Sequence, residues 1–209
     1  MAKAAFEQFG LPLDGGGTAA DDFIVTPANA DAAAGLQTWD RWPDGAVLLV
    51  GPAQCGKTRL AQIAKIRRGG HLDLWEDVDR GGLNQAGLFH ALNRARDGGD
   101  PVLMTARTMP GRWAISLPDL KSRVNALPIL EIHAPDDALV AELLYRGFAQ
   151  RGLDVGPDLI AHASLRVPRA YRAIAALAER ADRAALEQGR KISVRLLAPI
   201  LDALNDESW

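Results

Sequence analysis

The sequence predicts an α/β protein: a parallel sheet flanked by helices, followed by a smaller domain of helices alone. Three observations carry that expectation. Residues Gly51-Pro52-Ala53-Gln54-Cys55-Gly56-Lys57-Thr58 match the phosphate-binding pattern G-x-x-x-x-G-K-[ST]. Around this loop, short apolar runs alternate with segments of helical period. Beyond Pro135 the strand signals stop and only helix signals continue.

The loop comes first because each of its residues has a physical task. Gly51 and Gly56 permit a tight wrap whose amide N–H groups point at phosphate oxygens, Lys57 adds a positive charge, and the Thr58 hydroxyl can ligate Mg²⁺. Its flanks agree. Ala46 to Val50 is an apolar run suited to a buried strand, and Thr58-Arg59-Leu60-Ala61 opens a helix whose N-terminus would face the phosphates. Cys55 reads as a small residue tolerated between the glycines.

The other strands are expected at His71 to Trp75, Pro101 to Thr105 and Pro128 to Ile132. Helices are expected at Asn29 to Trp39, 57–68, Leu83 to Arg96 and Leu117 to Val124. In Leu83 to Arg96 the apolar positions follow the 3.6-residue period and Gly98-Gly99 stops the helix. Alternating strands and helices with short links imply a parallel sheet covered on both faces. In the C-terminal third, Asp136-Asp137 can cap a helix that Gly152 ends, and further helices are expected at Pro157 to Leu165, Pro168 to Gln188 and Ser193 to Leu204. The domain limits follow: a tail at 1–13, a glycine-rich linker at 14–22, the nucleotide-binding domain at 23–133 and a helical domain at 134–209.

Composition narrows the class. A chain of 209 residues with net charge −2 lacks the basic excess of a general nucleic-acid binder. No apolar run is long enough to span a bilayer, no signal peptide opens the chain, and the single cysteine fits a reducing cytoplasm. The four histidines show no metal-ligand spacing.

A nucleotide site of this class needs acidic groups at the end of a neighbouring strand. Glu76 and Asp77 stand there, with Asp77 a candidate Mg²⁺ ligand beside Thr58, although Asp73 interrupts the strand before them. Thr105 ends the next strand, where a hydroxyl could meet the terminal phosphate or the attacking water. Arg123 follows a short helix at the domain edge, and Arg169 opens a helix of the C-terminal domain; either could neutralise charge in phosphoryl transfer.

With these residues in hand the chain resembles the AAA+ ATPases, and within them the DnaA-related regulators of replication initiation, the Hda family. The likeness runs from Asp22-Phe23-Ile24-Val25 and Asn29 through the phosphate loop. It continues through Glu76-Asp77-Val78-Asp79, Leu88-Phe89-His90-Ala91-Leu92-Asn93 and Thr105-Ala106-Arg107 to Leu117-Pro118-Asp119-Leu120-Lys121-Ser122-Arg123. It implies that Phe23, Val25 and Asn29 line the adenine side, that the loop 51–58 with Arg59 binds ADP or ATP with Mg²⁺, that Arg169 senses the nucleotide from the helical lid, and that Arg123 acts as a finger on a partner's ATP. Gln8-Phe9-Gly10-Leu11-Pro12-Leu13 is similar to the peptide by which these regulators bind the DNA polymerase III sliding clamp (its beta subunit). In such a peptide Gln8 offers amide hydrogen bonds, Phe9, Leu11 and Leu13 fill an apolar groove, and Pro12 lowers the cost of ordering. The implied partners are the clamp and DnaA, with a homodimer also compatible and no direct reading of DNA sequence, because no helix-turn-helix domain follows the lid.

One departure stands out. Between Thr58 and Glu76 the family fits a helix, a strand and another helix, whereas here one helix ends at Gly69-Gly70 and the acidic strand follows at once. The sheet is therefore expected to have four strands and an exposed edge. Two other classes compete with a regulator: a small P-loop kinase or ATPase acting alone, and an interaction adaptor with a vestigial loop.

Overall fold

The structure is a computed structural model, and it describes residues 23–209. The tail and linker expected at 1–22 lie outside the described residues. The chain divides into two compact units. Among the described residues, one comprises 23–51 together with Gly56–Ile132; the other comprises Pro52–Cys55 with His133–Trp209.

The first unit is built on four parallel strands, β1 (Ala46–Val50), β2 (Asp73–Trp75), β3 (Val102–Ala106) and β4 (Ile129–Glu131), in the order β2-β3-β1-β4. These are the four strands expected, with β2 and β4 as the edges. Ala46 pairs with Val102 and Val50 with Ala106, so the two central strands end level. Both are buried along their whole length, as β-branched and aliphatic runs covered on both faces should be. Alternate residues face opposite sides. Ala46, Leu48, Val50, Val102 and Met104 pack with Leu88, Leu92, Leu120 and Val124 of helices α3 (Gln85–Arg96) and α4 (Pro118–Ala126). On other elements of the sheet lie α1 (Ala30–Gly35), which meets β4, and α2 (Lys57–Arg67), which meets β3.

Two of the boundaries that differ from expectation have a visible reason. The first helix stops at Gly35 and does not reach Trp39. The Gly35 carbonyl accepts from Thr38 Oγ1 at 3.0 Å and from Trp42 Nε1 at 2.9 Å, so side chains take the acceptor that a longer helix would use. β2 begins at Asp73, not His71, and Asp73 does not spoil it. Its carboxylate reaches Arg94 of α3 at 3.3 Å, which suits a partly exposed edge strand.

The second unit holds α5 (Asp137–Ala149), α6 (Pro157–Ser164), α7 (Tyr171–Gln188) and α8 (Val194–Asn205). The Asp136 carboxylate caps α5 by accepting from Leu139 N at 2.8 Å, and Ser193 caps α8. Phe148, Leu144, Leu177, Leu197 and Leu201 form a fully buried centre. Helices α5 and α7 approach closely at Gly147, where an added Cβ would lie 3.1 Å from Ala178 Cβ. Pro168 was expected in the first turn of α7, yet the helix starts at Tyr171: the Pro168 carbonyl accepts from Ala170 N at 2.7 Å, a tight turn that precedes the helix. Tyr171 is buried, and its hydroxyl donates to the His133 carbonyl at 3.1 Å. Burial pushes its phenol above the ordinary range, with the charges of Cys55 and Asp136 acting the same way. No described helix is long and apolar enough to cross a membrane.

Candidate functional site

The phosphate loop leaves the C-terminal end of β1, the central strand whose neighbours β3 and β4 lie on opposite sides, which is where open α/β sheets bind ligands. Its start is pinned because Gly51 N donates to the Ala106 carbonyl at 3.2 Å. Within it, Gln54 (φ 63°) and Gly56 (φ 92°) adopt left-handed backbone, the alternation that turns successive N–H groups into one concavity. Gly56 is also the N-cap of α2 and supplies no side-chain acceptor, so the helix opens toward an anion without a competing cap. Glycine is required here twice over, since a Cβ would meet Phe23 Cε2 at 3.0 Å. Lys57 is only 7% exposed, and its ammonium donates to the Gly51 carbonyl at 2.7 Å. A buried ammonium beside a concavity of N–H groups suits the phosphates of a nucleotide, whose negative charge offsets its desolvation. Thr58 and Arg59 are exposed at the first turn of α2, as are Pro52 and Gln54 in the loop; Ala53 is half-buried and Cys55 buried.

The segment before α1 meets this loop through Phe23, whose ring lies against Gly56. Asn29 holds the segment in shape. It is 3% exposed; its Oδ1 accepts from Thr26 N at 2.9 Å and its Nδ2 donates to the Ile24 carbonyl at 2.9 Å. Both ends of the amide are thus used within 24–29, so Asn29 shapes the wall while Phe23 and half-buried Val25 provide its surface.

The acidic residues after β2 are bound to the turn after β3. Thr105 is 1% exposed, and its hydroxyl accepts from Asp77 N at 3.0 Å. Asp77 has left-handed backbone (φ 49°), and its carboxylate meets Arg80 at 3.2 Å and Arg107 at 3.9 Å. Glu76 is exposed. Asp79 does more than the sequence indicated: its Oδ2 accepts from Arg107 N (3.0 Å), Thr108 N (2.9 Å) and Thr108 Oγ1 (2.9 Å), while its buried Oδ1 has no hydrogen-bond partner. Among the described residues no group of three or more His, Cys, Asp or Glu could hold a metal ion. Thr58 and Asp77 would hold Mg²⁺ together with phosphate oxygens, at the expense of the arginine pairs on Asp77.

Arg123 lies in the last turn of α4, half-buried, with its guanidinium carbon 5.3 Å from the centre of the Phe89 ring on α3. This cation–π stack presents the planar fork without engaging its donors. In the helical unit, Arg169 pairs with Asp137 at 2.5 Å. The clamp-type peptide, Gln8 to Leu13, lies outside the described residues. Sequence reasoning missed Asp79, Phe89 and Gln85 as site-building residues; a polar side chain directly after the helix cap Asn84 was the available signal for Gln85.

No family model matches the chain, and no curated protein matches it. Among solved structures it is similar to domain III of the Thermotoga maritima replication initiation protein DnaA, with TM-score 0.70 and 15% identity over 88% of this chain and 95% of that one. A replication initiator DnaA bound to AMPPCP and single-stranded DNA is similar at TM-score 0.60 and 16% identity, covering 77% of this chain and 63% of that one. The Thermotoga maritima RuvB Holliday junction branch migration motor follows at TM-score 0.59 and 18% identity, with this chain spanning 62% of its length. The fold is therefore that of DnaA domain III and the RuvB motor, here a parallel four-stranded sheet flanked by helices. The resemblance read from the motifs is met at the level of that DnaA-like fold.

Proposed function

We propose that this chain is a nucleotide-dependent regulator of replication initiation of the Hda kind, which promotes hydrolysis of ATP held by DnaA. The observation that carries the reading is Arg123: a half-exposed guanidinium seated on Phe89, with no carboxylate among the described residues paired to it. An arginine so placed suits action outside its own subunit. The likeness of the fold to domain III of the replication initiation protein DnaA supports the choice of partner.

In the proposed reaction, water attacks the terminal phosphorus of ATP on DnaA, the bond to the bridging oxygen breaks, and ADP and phosphate leave. Arg123 neutralises the charge that builds on the phosphoryl oxygens, a role that needs the planar fork and that can be worth about 10³–10⁵ in rate. The loop 51–58 with Lys57 and Thr58 would hold ADP or ATP on this chain, Phe23 and Val25 would border the base, and Arg169 would report the nucleotide to the lid. Gln8, Phe9, Leu11, Pro12 and Leu13 would dock on the sliding clamp. Intrinsic turnover should be weak, because Asp77 is paired with Arg80 and Arg107.

The test is single-turnover hydrolysis of DnaA-bound ATP in the presence of DNA-loaded clamp. The wild-type chain should accelerate it, Arg123→Ala should remove at least about 10³-fold of any acceleration that large, and Gln8→Ala/Leu11→Ala should lose the clamp-dependent part. Full stimulation by Arg123→Ala would sink the reading. Partner-free ATP turnover abolished by Lys57→Ala would favour an ATPase acting alone.

A further inference from the structure

We propose that Gln85 is a positioning residue for Arg123, acting through the loop that launches α4. The inference rests on the role given to Arg123 above and adds the device that aims it. Gln85 is the first residue of α3, directly after the cap Asn84, whose own Oδ1 accepts from Gly87 N at 2.9 Å. A side chain at that place ordinarily reaches into water. Here the amide is committed at both ends. Its Oε1 accepts from Ser116 N (2.9 Å), Ser116 Oγ (2.9 Å) and Leu117 N (3.2 Å), and its Nε2 donates to the Ala114 carbonyl (3.1 Å).

Those contacts fall where α4 most needs an external hold. Leu117 is its N-cap and contributes no side-chain cap, and Pro118 at the first helical position has no N–H of its own. Gln85 therefore fixes the start of α4 from outside. One turn further along α3, on the same face, Phe89 carries the Arg123 guanidinium. Helix α4 is thus held to α3 at both ends, by an amide at its beginning and by a ring at its end.

The lever arm sets the size of the effect. Arg123 lies about 9 Å along the helix from Leu117 at ~1.5 Å per residue, so a tilt of about 10° at the start shifts the arginine's base by about 1.6 Å. Displacements near 1 Å can cost about 10²-fold when a charge must meet a transition state. Three of the four contacts are accepted by Oε1, so a side chain of glutamine length with an acceptor at that place keeps the hold on Ser116 and Leu117. Glutamate would keep the acceptor contacts and lose the one to Ala114.

The test uses the full chain and has two readouts. In the NMR spectrum the Arg123 Nε–H proton should be shifted upfield by the Phe89 ring current, a shift identified by its loss in Phe89→Leu. Gln85→Ala should move that resonance toward the Phe89→Leu position, with Gln85→Glu remaining close to wild type. In the single-turnover assay, Gln85→Ala should lower maximal stimulation about 10²-fold with the half-saturating concentration unchanged, and Gln85→Glu should restore most of it. An unchanged Arg123 resonance in Gln85→Ala overturns the proposal whatever the assay shows. An intact assay in Gln85→Ala, beside loss in Arg123→Ala, overturns it too while sparing the role of Arg123. Full stimulation by Arg123→Ala removes the functional reading instead, and the resonance still decides whether Gln85 holds α4.

Discussion

The loop after β1 and the loops after β2 and β3 leave the same edge of one sheet, yet they spend their polar groups in opposite ways. The phosphate loop is left-handed at Gln54 and Gly56, starts α2 without a side-chain cap and buries the ammonium of Lys57. The other two loops satisfy one another: Asp79 takes three donors from Arg107 and Thr108, Thr105 takes Asp77 N, and Asp77 meets two arginines. The first arrangement waits for an anion, and the second is closed on itself. The contrast separates binding from turnover. On the proposed reading, a nucleotide would sit at the first loop while Asp77 and Thr105 at the second are engaged with their neighbours and Glu76 is exposed.

Breaking the closed side should have the larger effect on stability. Asp79→Ala removes three hydrogen bonds to one carboxylate oxygen and should cost about 2–4 kcal/mol in chemical denaturation, with nucleotide affinity changed far less. A cost below about 0.5 kcal/mol would show that the two loops do not depend on Asp79. Disturbing the open side should spare stability more and affinity most. Gly56→Ala puts a Cβ into left-handed backbone and 3.0 Å from Phe23 Cε2, so ADP affinity should fall about 10-fold by calorimetry. Unchanged affinity would mean the loop binds nothing in that conformation.

How far the sequence announced this site depends on the distance over which each part is encoded. The phosphate loop is contiguous, and its flanking run Ala46 to Val50 is apolar without interruption, so both were legible. The four strands were legible for the same reason, and Asp73 only looked disruptive because its partner Arg94 is remote in sequence. Asp79 and Gln85 were not legible as structural clamps: their partners lie 28–32 positions away and become neighbours only when the strands align. Thr105 was read as the last residue of its strand, which in fact runs one residue further to Ala106; its hydroxyl faces Asp77 N, and no local pattern could show that. Pro168 signalled a helix start correctly in kind and three residues early, because its carbonyl closes a turn before Tyr171.

The central proposal, that the loop after β1 receives a nucleotide while Asp77 and Thr105 stay engaged with their neighbours, is tested most directly by titrating ADP into the full chain, with and without Mg²⁺, beside Lys57→Ala. The structure predicts binding at micromolar concentration or below, little weakened when Mg²⁺ is removed, and at least about 10²-fold weaker in Lys57→Ala, as expected for loss of a buried charge-assisted contact. Absence of binding, or equal binding by Lys57→Ala, would contradict it.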